Sequence, residues 1–209
     1  MATAALMAEV PARTIDLPKP CFHGAISLEK VLCTRRSVRA FSNEAPELSQ
    51  IGQLAWAAQG VTSAEAQRTA PSAGGLYALE LYIIAAKVNG FPAGIYQYDC
   101  LTHEVVSLIE GDMRRRLSRA ALDQSSILQA GAIFALSAVY ERISAKYGQR
   151  GIRYAHMEAG HAAQNLLLQS VALGLGAVLV GAFDDAAVKR ILKLSKQEAP
   201  LYLIPVGNP

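Results

Sequence analysis

The longest periodic segment of the chain runs from about Ile152 to Leu175, where small and apolar residues recur at helical spacing. Alanine fills many of these positions, and small side chains let a second helix pack closely. A helix of this length must bury its apolar stripe against other elements. The segment therefore predicts one long helix with closely packed neighbours.

Shorter segments on either side have helix or strand patterns. Terminal signals predict helices from Ser27, over 46–60 and over 184–194, and a further helix covers 111–122. Aromatic and β-branched residues predict strands over 79–87, 94–99, 103–109, 130–140, 177–183 and 200–207, the second and third forming a hairpin. Because some strands are chain neighbours and others are separated by helices, we expect an α+β fold with a mixed sheet covered by helices.

A length of 209 residues fits one domain. Residues 1–26 contain three prolines and no periodicity, so they predict an extended arm laid on the body or on a partner subunit. The domain itself is expected over 27–209.

The composition is apolar, with 52% hydrophobic and only 18% charged residues. This balance favours a buried subunit interface. The net charge of +3 comes mainly from residues 35–39 and 114–119, which do not form a basic pattern interleaved with aromatics, so nucleic acid is not an expected partner. Three widely spaced cysteines and the lack of a signal-peptide or membrane-span pattern predict a soluble cytoplasmic protein.

Several motifs have an ordinary structural interpretation. The glycines at 174 and 176 follow a helix and precede a strand, which is the reverse of a nucleotide-binding turn. His156 and His161 lack the spacing of a zinc-binding helix, and Ser72 lacks the sequence context of a hydrolase nucleophile. We therefore expect no metal site, and a solvated helix face for the arginines at 114–119.

The segment CTRRSVRAFS at 33–42 concentrates positive charge. Arg35, Arg36 and Arg39 surround Ser37, and forked guanidinium donors with a hydroxyl suit a phosphate group. A basic helix end that complements the helix dipole is the alternative, and the segment alone leaves both open.

Two further segments favour the phosphate interpretation. The loop PSAGG, Pro71 to Gly75, consists of small residues that allow backbone N–H groups to approach a ligand. The strand segment VLVGAFD places Gly181 where bare backbone could face a flat ring. Together the three segments indicate a cofactor with a phosphate tail and a planar head.

Four blocks in order then resemble the FMN-dependent nitroreductase family: RRSVRAF, RTAPSAGGLYALELYI, AGHAAQNLLLQSVALGLGAVLVGAFDD and PLYLIPVGNP. The chain is most similar to the SagB-type branch, whose Lys-Tyr pair is matched by Lys146 and Tyr147. The resemblance implies a three-layer α+β sandwich with a mainly antiparallel sheet and an interface-forming long helix. It also implies a homodimer with FMN at the interface, and active sites that take residues from both chains.

The resemblance also assigns residues. Arg35, Ser37 and Arg39 match the motif that holds the FMN phosphate and ribityl chain, with Arg36 nearby. The loop that lies against the flavin from the partner subunit is matched by Pro71, Ser72, Ala73, Gly74 and Gly75. The segment whose backbone amide faces flavin N5 is matched by Val180, Gly181 and Ala182. Gln59 matches a polar position near the flavin.

The resemblance leaves the reaction open. If Lys146 and Tyr147 act as in their relatives, one of them removes a proton while hydride passes to the flavin; otherwise they are an ordinary helix-end pair. A general NAD(P)H-dependent nitro or quinone reductase is the alternative enzyme. A flavin-binding subunit of a peptide-modifying complex, and an enzyme that degrades FMN itself, are further alternatives.

Overall fold

A seven-stranded sheet forms the centre of the structure, a computed structural model that describes residues 13–209. The strands are β1 (Thr14–Asp16), β2 (Leu79–Ala85), β3 (Gly94–Asp99), β4 (Glu104–Glu110), β5 (Ala132–Val139), β6 (Gly176–Ala177) and β7 (Glu198–Gly207). Their order is β1-β4-β3-β2-β5-β7-β6, and every pair of neighbouring strands is antiparallel.

Both faces of the sheet are apolar, because the central strands are continuous hydrophobic runs. In β2, Leu81 and Ile83 point to one face and Tyr82 and Ile84 to the other. Each face therefore needs its own cover of helices.

Helices cover each face and complete three layers. They are α1 (Leu28–Thr34), α2 (Leu48–Gln59), α3 (Arg114–Ala120), α4 (Ser125–Gln129), α5 (Tyr140–Tyr147), α6 (Arg150–Ala172) and α7 (Asp185–Leu192). Buried residues of α2, α5 and α6 join the core on one face, and those of α3, α4 and α7 join the core on the other. The predicted α+β sandwich is confirmed.

Local signals set most helix ends as expected. The Ser27 hydroxyl accepts a hydrogen bond from Lys30 N and caps α1, and Asp184 caps α7 in the same way. The long helix α6 spans 23 residues and ends before Gly174, whose φ of +74° only glycine adopts easily. This glycine is thus a helix terminator and not part of a nucleotide turn.

Three elements differ from the sequence prediction, and one of them, helix α4, has only five residues and no counterpart among the predicted elements. The strand expected over 177–183 is regular only at Gly176–Ala177, because Pro205, opposite Val178, has no N–H with which to continue the ladder. Helix α5 has no counterpart among the predicted elements. Only Ile143 is fully buried in its eight residues, so its apolar pattern is too short to recognise.

The predicted arm lies partly outside the described residues, which begin at 13. Within it, Thr14–Asp16 pairs with β4, so this part of the arm is an edge strand of the same sheet. Further along, Phe22 packs on Trp56 with ring centroids 5.3 Å apart. The boundary at residue 26 stays a prediction. Within residues 13–209, no helix has the combined length and apolarity needed to cross a membrane.

Candidate functional site

The arginine segment runs along the outer edge of β6. Ser37 forms a parallel bridge with Ala177, and Val38 N donates to Ala177 O at 3.0 Å. Arg36 folds back and donates to the carbonyls of Arg35 and Cys33, at 2.7 and 3.1 Å, so it caps the end of α1.

Arg35 and Arg39 differ from Arg36. Neither side chain forms a hydrogen bond or an ion pair with any residue in the range 13–209. Two guanidinium groups at this edge are therefore available to an anion.

The segment 180–182 continues from the same edge. Val180 is buried and exchanges two backbone hydrogen bonds with Leu203, at 2.8 and 2.9 Å, which anchors the segment to β7. Gly181 and Ala182 are exposed, and within the described part of the chain their amide N–H groups have no acceptor.

The space beside Gly181 is open. A Cβ built there would meet nothing nearer than Tyr202 Cε1, at 3.9 Å. Because Gly181 follows Ala177 by four residues, which span at most about 14 Å, its free amide lies within that reach of the arginine segment at Ala177. Available guanidinium groups, free amides and an open backbone fit a cofactor with a phosphate tail and a planar head.

The loop Pro71 to Gly75 lies elsewhere and is held by a buried acid. Ser72 Oγ donates to Glu158 Oε2 at 2.6 Å and accepts from Tyr77 N at 2.9 Å. Glu158 is only 1% exposed, and burial raises the pKa of its carboxyl despite the hydrogen bond from Ser72. Its Oε1 has no hydrogen-bond partner among the described residues.

Lys146 and Tyr147 contact this loop at Gly74. A Cβ on Gly74 would lie 2.8 Å from Tyr147 Oη and 3.2 Å from Lys146 Nζ. Tyr147 is held edge-on against Tyr154, with ring centroids 5.2 Å apart, while Lys146 is exposed. The predicted catalytic pair and the predicted flavin loop therefore come together within one chain.

The two groups of predicted residues lie at different parts of α6. The loop forms a cavity of about 240 Å³ with Tyr154, Glu158 and His161. Helix α1, which precedes the arginines, lines another cavity with Leu168 and Ala172. Ten residues of helix separate Glu158 from Leu168, or about 15 Å. The cavity beside α1 and the cavity beside the loop share no lining residue.

Gln59 is almost fully buried and is hydrogen-bonded to Arg68. It is 2% exposed, and its Oε1 accepts a hydrogen bond from Arg68 Nη1 at 2.8 Å.

Sequence reasoning missed Arg68, Tyr77 and Glu158, which are hydrogen-bonded to the predicted site residues Gln59 and Ser72. Glu158 is an acidic residue at a buried position of the α6 pattern, and that conflict with the apolar stripe is the signal that could have identified it.

His156 Nε2 lies 2.7 Å from Tyr140 Oη, and all three cysteines are unpaired. Residues 13–209 contain no cluster of three or more His, Cys, Asp or Glu residues that could hold a metal ion.

Comparison with known proteins identifies the family. Residues 32–208, most of the chain, match the nitroreductase family. The chain belongs to this family. A relative from Methanocaldococcus jannaschii, MJ1384, which is named as a nitroreductase, is 43% identical over 183 residues, covering 88% of this chain and 91% of the relative. The chain is thus an oxidoreductase of the nitroreductase family.

Solved structures of the family share the fold. One named as a nitroreductase of Anabaena variabilis has a TM-score of 0.84 and 28% identity over 95% of this chain. The match covers 42% of the Anabaena chain, so the present chain spans less than half of that relative's length.

More distant structures show the fold alone. A chain of the Escherichia coli microcin synthetase McbBCD complex, with truncated pro-MccB17 bound, has a TM-score of 0.73 and 22% identity over 91% of this chain and 76% of its own. The NADPH:FMN oxidoreductase of Vibrio harveyi, in complex with NAD⁺, has a TM-score of 0.63 and 19% identity, and the match covers 87% of this chain and 68% of the Vibrio chain.

Proposed function

We propose that this nitroreductase-family protein is an FMN-dependent oxidoreductase of the SagB type, acting on a small or peptide-derived substrate. The observation that carries the proposal is the contact of Lys146 and Tyr147 with Gly74 of the loop that would lie against the flavin. The fold shared with a chain of the microcin synthetase complex also supports it.

Two groups of residues would hold FMN. Arg35 and Arg39 would bind the phosphate, with Ser37 beside them, and the amides of Gly181 and Ala182 would donate to the ring. From the other side, the loop of Ser72, Ala73 and Gly74 would contact the ring. Bound FMN supplies the hydride acceptor and donor that these side chains lack.

The positions of these groups along α6 support a homodimer. The loop lines a cavity with Glu158 of α6, and the helix before the arginines lines another with Leu168, so the loop of a second chain would complete a flavin site at the arginine segment. We therefore propose two sites per dimer at the subunit interface, in contact with the exposed face of α6.

Lys146 and Tyr147 would handle the proton. Tyr147 Oη and Lys146 Nζ lie at the same point of the loop, so the one that is deprotonated would accept a proton from a substrate stacked on the ring while the hydride passes to the flavin. The rigid contact between Tyr147 and Tyr154 fixes the position of that hydroxyl. The predicted cytoplasmic location stays a prediction.

An absorbance experiment tests the cofactor and the electron donor together. The purified protein is expected to show flavin absorbance, and anaerobic titration with NADH and then NADPH shows whether either nucleotide bleaches it. A flavin that resists both nucleotides supports a SagB-type role. A protein that binds no flavin even after FMN is added contradicts the proposal.

Substitution tests the proton-handling pair. Tyr147→Phe and Lys146→Ala are expected to retain FMN and to lower turnover of the substrate about 10²-fold or more. Arg115→Ala, an exposed substitution on α3 at the other face of the sheet, is the control. Native turnover by both variants with FMN retained would show that the pair has only a structural role.

A second candidate is a general NAD(P)H-dependent nitro or quinone reductase. The name of the M. jannaschii relative and the NAD⁺-bound Vibrio structure favour it. Rapid oxidation of NADH or NADPH with menadione or a nitroarene, by both the native protein and Tyr147→Phe, would favour this reductase function over the SagB-type function. Co-purification with a peptide-modifying enzyme from the native host would instead indicate a subunit of a larger complex.

A further inference from the structure

A cavity of about 560 Å³ lies beside the start of β2 and the turn between β3 and β4. Its volume falls within the range of small-molecule sites. Of the residues proposed for the flavin or for proton transfer, only Gln59 lines it. The cavity is therefore a separate space with no assigned occupant.

One cation in this cavity lacks an anionic partner. The Arg68 guanidinium lies 4.4 Å from the centre of the Tyr77 ring and donates to Gln59 Oε1, and within residues 13–209 it forms no ion pair. The other arginine of the cavity, Arg142, is paired with Glu80. Arg68 is thus held in place by neutral groups and, within residues 13–209, makes no ion pair.

The hydrogen bonding beside Arg68 is also incomplete. Gln59 Nε2 is buried and has no acceptor among the described residues. Buried polar groups are nearly always hydrogen-bonded, so an orphan donor next to an unpaired guanidinium marks a place for an acceptor.

The remaining walls define the rest of the ligand. Leucine side chains line the cavity, with Leu79 and Leu81 buried and Leu101 70% exposed. The carboxyl groups of Glu80 and Asp99 line it as well, and they would repel a second negative charge.

We propose that this cavity binds a small monocarboxylate with an apolar body. The carboxylate pairs with the planar guanidinium of Arg68, and the apolar body packs on the leucines. This inference does not depend on the proposed flavin chemistry, because its residues and its test need no cofactor.

Calorimetric titration of the purified full chain with hexanoate tests the inference. We expect saturable binding, with hexan-1-ol at least about tenfold weaker because it carries no charge to pair with Arg68. Arg68→Met, which keeps the apolar stem and removes the charge, is expected to lower the hexanoate affinity about tenfold or more.

Two further variants keep the test decisive. Gln59→Glu places a carboxylate beside Arg68 at nearly constant shape and should weaken hexanoate binding even if Arg68→Met fails to fold. Arg115→Met, an exposed substitution on α3, should leave the affinity unchanged. Absence of saturable binding, equal affinity in Gln59→Glu, or loss of hexanoate binding when FMN is added would each overturn the inference.

Discussion

Gly74 is the residue at which the loop and the lysine–tyrosine pair meet. Its φ is +66°, and that of Gly75 is +65°, so both occupy a region that side chains rarely adopt. Their surroundings differ, because a Cβ at Gly74 would lie 2.8 Å from Tyr147 Oη while one at Gly75 would meet nothing within 4 Å. Substitution of Gly75 therefore tests backbone strain alone, whereas substitution of Gly74 tests backbone strain together with a steric clash.

We expect Gly75→Ala to lower the free energy of unfolding by about 1–2 kcal/mol through backbone strain alone. Gly74→Ala should lower it further, because its methyl group also displaces Tyr147. Urea unfolding of both variants measures the difference. In a Tyr147→Phe background the excess loss at Gly74 should shrink, and equal losses at the two glycines in the native background would contradict the contact.

Glu158 should make stability depend on pH. Burial raises the pKa of this carboxyl above its ordinary value of 4.5, so the folded state binds the proton more tightly than the unfolded state. The corresponding stability is fully present below pH 4.5 and is lost as the pH rises through the folded pKa.

Unfolding of Glu158→Gln across pH 4.5–8 tests this effect. Glutamine keeps an acceptor for Ser72 and does not titrate, so the variant should gain stability relative to the native protein as the pH rises. Glu65→Gln, on the exposed surface, is the control. Parallel stability curves for the native protein and Glu158→Gln would refute the prediction.

At the scale of the element, α7 begins shortly after the segment 180–182 and anchors the C-terminal end of that segment. The segment is tied to β7 by Val180, and two residues after Ala182 the chain enters the cap of α7. Asp184 Oδ1 accepts from Ala187 N at 2.9 Å, and Asp184 N donates to Ala120 O at 2.8 Å. The cap therefore positions the exposed amides as well as starting the helix.

Loss of this cap should be measurable in stability and in cofactor binding. Asp184→Ala is expected to lower the free energy of unfolding by about 1 kcal/mol. If the amides of 181–182 contact FMN, its affinity should fall too. Asp185→Ala, in the first turn of the same helix, removes a charge but not the cap and should have a smaller effect on both. Equal effects of the two substitutions would show that the cap has no special role.

At the scale of the whole molecule, the separation of the two residue groups is the dominant feature. The arginine segment and the amides share the β6 edge, whereas the loop and the lysine–tyrosine pair lie by the N-terminal half of α6. Under the proposed function, a complete flavin site takes one group from each of two chains.

A heterodimer of two defective variants tests this arrangement. Arg35→Ala/Arg39→Ala removes the proposed phosphate ligands, and Ala73→Glu places a charge in the loop. Neither homodimer should retain FMN, but the heterodimer isolated through two different tags should bind one FMN, because one of its two interface sites is intact. If the heterodimer also binds none while each variant still dimerises, both groups belong to one chain.

Most features set by residues close together in the chain were predicted from the sequence, whereas features that depend on residues far apart in the chain were not. Ser27, the β3–β4 hairpin and the cap of α7 are set by residues within a few positions, and all were predicted. The short β6 strand depends on Pro205, which lies almost 30 residues away, and its length was predicted wrongly. The proximity of Lys146 and Tyr147 to Gly74 joins residues some 70 positions apart, and no local pattern encodes that contact.

The sequence by itself determined the α+β class, the long helix α6 and the membership in the nitroreductase family, because periodicity, caps and ordered motifs are local properties of the chain. Only the tertiary structure decided that Arg36 caps α1 while Arg35 and Arg39 stay available. It also decided that Glu158 anchors the loop through Ser72, and that Arg68 is unpaired in a cavity. Such features depend on burial and on which polar groups find partners, and both are set by packing between distant segments.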